Sequence, residues 1–282
     1  MVKSDGRNMN KILNIRFLIL FIISISLFAC SNTNKPTFGE NSESKELPQL
    51  NKTQLEKLAE SGKELTFSSI PGIDLSGAQL SSVNLDNSVL TGSNLQKINF
   101  ANSSLVKVDL EGAKLRNANL RGANFEGANL RSVDMRGADM RGANFQDANL
   151  FLAKLDGAIL TGVNFSGADL CGLDLSGFDL SGINMAKAKM SDSVLAGADL
   201  TGAILRDAVL AQADLKGAIL RKADLSLAVM RDADLENADL KNADLTRANL
   251  RNAYLKNAYL EGADLTGTIL DNAVLTGTVL VN

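Results

Sequence analysis

The chain has 282 residues, 45% of them hydrophobic, with no tryptophan and a formal net charge of −3. It contains no histidine, so it lacks the commonest general acid/base and the commonest metal ligand. A charge so close to neutral does not point to a nucleic-acid binder, and the apolar fraction is ample for a sizeable core in one large domain or two. All three prolines (Pro36, Pro48, Pro71) fall before residue 72, which sets a front segment apart from the rest.

The front segment opens with Lys3, Arg7, Lys11 and Arg16, followed by the apolar run FLILFIISISLFA (17–29) and Cys30. The run is short for a membrane span and a polar stretch follows it, the pattern of a cleaved secretory signal over 1–29. An uncleaved anchor helix is the alternative. Met9 is a second candidate start, because MNKILNIRF is a more ordinary signal opening than MVKSDGRN. The motif LFAC (27–30) resembles the lipobox of bacterial lipoproteins, with Phe28 a less usual residue at its position. That resemblance implies acylation of Cys30, which becomes the new N-terminus. Two or more acyl chains give stable membrane attachment. Loss of 1–29 takes Lys+Arg from 29 to 25 and Asp+Glu from 32 to 31, a mature charge of about −6. Ser31 after the cysteine favours the outer membrane under the sorting rule of enteric bacteria.

Residues 30–50 are rich in Ser, Asn, Glu and Pro and are expected to form a flexible tether. A short capping helix is predicted over 51–62. Thr53 and Glu56 fit a capping box, Leu55 and Leu58 share a face, and Gly62 suits the C-terminal stop.

From Leu75 to Leu280 every position ending in 5 or 0 is Leu, Phe or Met, 42 of 42, and the residue two before it is Ala in 27 of the 42. No ordinary element carries this beat. In an α-helix five residues turn about 500°, so successive leucines would walk around the axis. In a strand an odd period would place them on alternating faces. The chain must therefore turn a corner within every five residues. The types two residues after each large one, such as Gly77, Gly92, Asn117, Gly137 and Asp147, tolerate the positive φ that tight corners use.

The pattern resembles the pentapeptide-repeat family, with a consensus near Ala-(Asp/Asn)-Leu-X-X. NADLKNADLTRANL (237–250) follows it almost word for word. The resemblance implies an all-β fold over 63–282: a right-handed quadrilateral β-helix of about 10 coils, one pentapeptide per side and 20 residues per coil, behind the capping helix. At strand spacing such a rod is roughly 50 Å long. Val279, Leu280 and Val281 at its end would leave an apolar, unpaired edge, so a homodimer through the C-terminal coils is expected, as in some members.

The 20-residue register organises the rest. Phe125, Phe145 and Phe165 should form an internal ladder. Leu173, Phe178 and Ile183 replace the small residue at three consecutive positions, so that coil should be widened. Arg116 should stack on Arg136 and Arg121 on Arg141, with Arg131 on another face. These five arginines form the most basic zone and a candidate docking patch for an anionic partner, partly neutralised by Asp134 and Asp139. The alternative is a solvated face with weak ion pairs. Lys216, Glu236 and Lys256 should form a ladder of alternating sign. Asp224, Asp244 and Asp264 make an acidic row that could attract Ca²⁺ or Mg²⁺, although Asp is also the consensus there, and no metal site is assigned. Tyr254, Tyr259 and Leu280 are candidate partner or dimer contacts, and Cys171 is expected as a free thiol.

No enzyme motif is evident and no cofactor is implied. The sequence thus suggests a non-catalytic, lipid-anchored rod of the bacterial cell envelope that binds or scaffolds an unknown protein. Two alternatives stand beside it. One is a DNA-mimic modulator of type II topoisomerase, implied by cytoplasmic members of the family and opposed here by the signal and the arginine zone. The other is a mechanical spacer.

Overall fold

The computed structural model describes residues 52–60 and 70–279. The expected signal (1–29), Cys30, the tether and Leu280 lie outside the described residues.

Helix α1 spans Lys52–Glu60. Its Leu55 is fully buried in the core. The capping box does not form as expected, because the helix already includes Thr53. Glu56 instead accepts the backbone N–H of Gln79 at 3.0 Å, and Lys52 Nζ donates to the Ser76 carbonyl at 2.7 Å. One coil on, the equivalent N–H is satisfied by the preceding coil, Asn99 N donating to Ala78 O. Glu56 thus substitutes for a missing coil at the first edge.

Beyond residue 70 a turn, an extended step and a single parallel bridge recur every five residues. The bridges join residues 20 apart, from Asp74↔Asn94 to Tyr259↔Val279. Four pentapeptide sides therefore close each coil. Val83 N donates to the Ser103 hydroxyl, but at the corners from Ser88 to Thr278 the small residue's N–H returns to the carbonyl of the large residue three before it, as Ala78 also does to Leu75 at 3.0 Å. The corner residue between them has positive φ, such as Gly77 at 66° or Asn117 at 55°, the requirement of a type II turn. The Asp or Asn at mid-face supports the next corner, its Oδ1 accepting the N–H two residues on, as Asp244 does from Thr246 at 2.8 Å. This local bond accounts for the (Asp/Asn)-Leu-X-X pattern.

Leucines and alanines line the interior from Leu75 to Leu260 with almost no exposure. Phe125 and Phe145 stack at 4.7 Å and 8°, and Phe145 and Phe165 meet at 5.5 Å and 35°, the ladder the register predicts. Asparagine amides pair between coils on the outside, Asn144 to Asn124 at 2.9 Å and Asn164 to Asn144 at 2.8 Å. Near the end of the described chain, Leu265, Leu270 and Ala273 are only partly buried, and Ile269, Val274, Leu275 and Val279 are exposed.

The predicted widening at Leu173, Phe178 and Ile183 takes a definite form. The bridges that would join 154 to 174 and 159 to 179 are missing from an otherwise continuous series. So are the intercoil bonds of five amides on one side (Leu152, Leu155, Gly157, Leu160, Gly162) and three on the other (Asp174, Asp179, Asn184). Leu173 and Ile183 are buried, while Phe178 is only half-buried and Ala153, one coil before Leu173, is only partly buried. Bulk at the small positions separates the two coils along two adjacent sides.

Candidate functional site

The arginine zone is built by the coil geometry. Corner residue 116 and mid-face residue 134 are 18 apart, which places them side by side on successive coils. Arg116 Nε donates to Asp134 Oδ2 at 2.6 Å, and Arg136 grips the same carboxylate through Nε (2.9 Å) and Nη2 (2.8 Å). One side along, Arg121 Nε reaches Asp139 Oδ2 at 2.7 Å, while Arg141 contacts Asp139 through Nε (2.9 Å) and Nη2 (2.7 Å). Two parallel Arg–Asp–Arg clamps result, on adjacent faces. The aspartate side chains are 17% and 22% exposed, against 36–53% for the arginine side chains. Each clamp keeps a surplus positive charge, and its cations form the outer layer. Such fork-like contacts fix the guanidinium geometry as well as adding energy.

Arg131 stands apart from both clamps. Its guanidinium lies over the Phe151 ring, 4.9 Å from the centroid, a cation–π contact across one coil. At 20 residues the register places arginine beside arginine. The 18-residue reach from a corner cation to the next coil's aspartate was also readable there, and it recurs in Lys216–Asp234 (2.9 Å) and Arg221–Asp239 (2.6 Å). The alternating ladder is corrected accordingly. Lys256 pairs with Glu236 at 3.2 Å, but Lys216 turns to Asp234, whose hydrogen bond pushes the lysine's pKa up.

Asp224, Asp244 and Asp264 do stack in successive bridges. Each carboxylate accepts the N–H of a Ser or Thr two residues on, Ser226, Thr246 and Thr266. The Thr266 hydroxyl and N–H hold Asp264 below the usual carboxylate range. Among the described residues no His, Cys, Asp or Glu group is arranged to hold a metal ion. Tyr259 is exposed and lies 5.8 Å from Lys241 Nζ, whereas Tyr254 is half-buried. Cys171 is a free, half-buried thiol, its pKa raised by burial and then by Asp169. Among the described residues no helix is long and apolar enough to cross a membrane.

Among curated proteins none matches the chain. The solved structures do offer relatives. HetL, a pentapeptide repeat protein involved in heterocyst differentiation regulation from the cyanobacterium Nostoc sp. strain PCC 7120, is 33% identical over 82% of this chain and 97% of its own, with a TM-score of 0.46. Rfr23 from the cyanobacterium Cyanothece 51142 is 27% identical over 39% of this chain and 92% of its own, TM-score 0.37. QnrB1, a plasmid-mediated fluoroquinolone resistance protein, is 18% identical over 73% of this chain and 91% of its own, TM-score 0.44. The family model "Pentapeptide repeats (8 copies)" matches in seven stretches that together run without a gap from residue 64 to residue 282. That span takes in every turn-and-bridge unit described above, and with it the chain belongs to the pentapeptide-repeat family.

Proposed function

We propose that this protein is a non-catalytic rod, lipid-anchored through Cys30 in the bacterial cell envelope with the outer membrane favoured, that serves as a protein-binding or scaffolding module. The observation that carries the binding role is the pair of Arg–Asp–Arg clamps. Arg116, Arg136, Arg121 and Arg141 are held in place by two shielded carboxylates, a preordered cationic surface suited to an anionic partner. The anchoring half rests on the sequence alone, on LFAC at the end of an apolar run. The topoisomerase reading is disfavoured by that same signal and by the cationic character of the zone. A homodimer through the last coils belongs to this proposal, supported by the exposed Tyr259, Ile269, Val274 and Val279.

Two measurements test the reading. The full chain should incorporate labelled palmitate and fractionate with membranes, and Cys30→Ser should do neither. Label persisting in that variant overturns the anchor. Replacing Arg116, Arg121, Arg136 and Arg141 together by Ser should abolish capture of a partner from envelope extracts. Unchanged capture reduces the zone to a solvated face.

A further inference from the structure

We infer that the rod carries a built-in opening point between the stretch 152–162 and the coil above it, wedged by Phe178, and that this seam divides the β-helix into two cooperative units. In a solenoid each coil is coupled only to its neighbours. The rod therefore separates first where one interface is poorest.

The interface above 152–162 is poorer than any other in three ways. From residue 72 to residue 260 every corner and large-residue amide donates to the coil above, except the five amides from Leu152 to Gly162. The two bridges of that stretch are missing as well. Solvent also reaches inward at this level: Ala153 and Phe178 are only partly buried, at interior positions that are closed in the coils on either side.

The corner at Leu152 is weak too. A leucine sits there at φ 60° and is 55% exposed, where most corners carry Gly, Asn or Asp. The cause is steric. Phe178 occupies a position held by Ala158 one coil before and Ala198 one coil after. Leu173 and Ile183 on the flanking sides are absorbed into the core, but the phenyl ring is not. Local opening follows low burial and unpaired backbone, and both coincide here. The arginine clamps lie wholly in the N-terminal unit, so a partner bound there holds only that unit.

Hydrogen exchange followed by mass spectrometry on the full chain tests this. Amides in 152–162 should exchange at least tenfold faster than their register equivalents in 132–142 and 172–182. The triple variant Leu173→Ala/Phe178→Ala/Ile183→Ala restores the consensus small residue and should slow exchange in 152–162 by a similar factor. Phe178→Ala alone should recover part of it. Equal protection of 152–162 and 132–142 in the unaltered chain overturns the seam, whatever the variants do. Exchange in 152–162 that is not slowed at all by Phe178→Ala overturns the wedge.

Discussion

Arg116 and Arg136, one coil apart, converge on the single carboxylate of Asp134, at 2.6 and 2.8 Å. Two like charges that would repel when stacked are thereby brought together by a shared counter-ion. Asp134→Asn removes it. Because the pairs are exposed, the expected loss of stability is below about 1 kcal/mol by urea denaturation, while thermal stability at low salt should become more salt-dependent as unpaired guanidiniums repel. A loss of several kcal/mol would show that the clamp is a structural keystone.

Phe145 is fully buried between Phe125 and Phe165. Phe145→Ala leaves a cavity at the centre of the ladder and should cost about 3–5 kcal/mol. Equilibrium unfolding checks this, and a cost under 1 kcal/mol would mean that the coils collapse to fill the gap.

Ser88 and Ser93 are fully buried, and their hydroxyls have no hydrogen-bond partner. Ser103 and Ser193, at the same small position, donate to Leu80 O and Met190 O. Alanine at 88 or 93 should stabilise the protein by about 1 kcal/mol each, since an unsatisfied buried hydroxyl is removed. Ser193→Ala should not stabilise it. Paired melting curves of the three variants decide the matter.

Leu152 adopts a left-handed corner at φ 60° with its side chain largely in solvent. Asparagine is far more tolerant of that conformation. Leu152→Asn should therefore raise stability by about 1 kcal/mol, with little burial lost in exchange. A fall in melting temperature would show that the leucine packs against something in solution.

Asp174 and Asp179 sit below the usual carboxylate range because Ser176 and Ser181 donate hydroxyl and backbone hydrogens to them. With folded pKa values depressed below the ordinary 3.8, their stabilisation is present above that value and is lost as pH falls through the lower folded ones. Replacing Ser176 and Ser181 by Ala should raise both carboxyl pKa values in an NMR titration. It should also leave less stability to lose on acidification. An unchanged titration would rule out the hydroxyl bonds.

The five-residue beat by itself determined most of this fold. A large apolar residue at every fifth position and a small one two before it leave the chain one way to keep both inside, which is to turn a corner each time. The Phe125–Phe145–Phe165 stack and the widened coil at Leu173, Phe178 and Ile183 followed from the 20-residue register that the family resemblance implies, because in a solenoid sequence distance maps directly onto space. Tertiary structure decided what depends on side-chain reach. Long flexible cations choose among several neighbours, so Arg116 and Arg136 share Asp134, Lys216 turns to Asp234, and Arg131 lies over Phe151. Glu56 capping the first coil through Gln79 was equally hidden, since its local capping-box pattern was satisfied in print and overruled by an unpaired amide 23 residues away. Where Phe178 would yield was also a tertiary matter, for bulk predicts that a coil must widen, and only packing settles which hydrogen bonds give way.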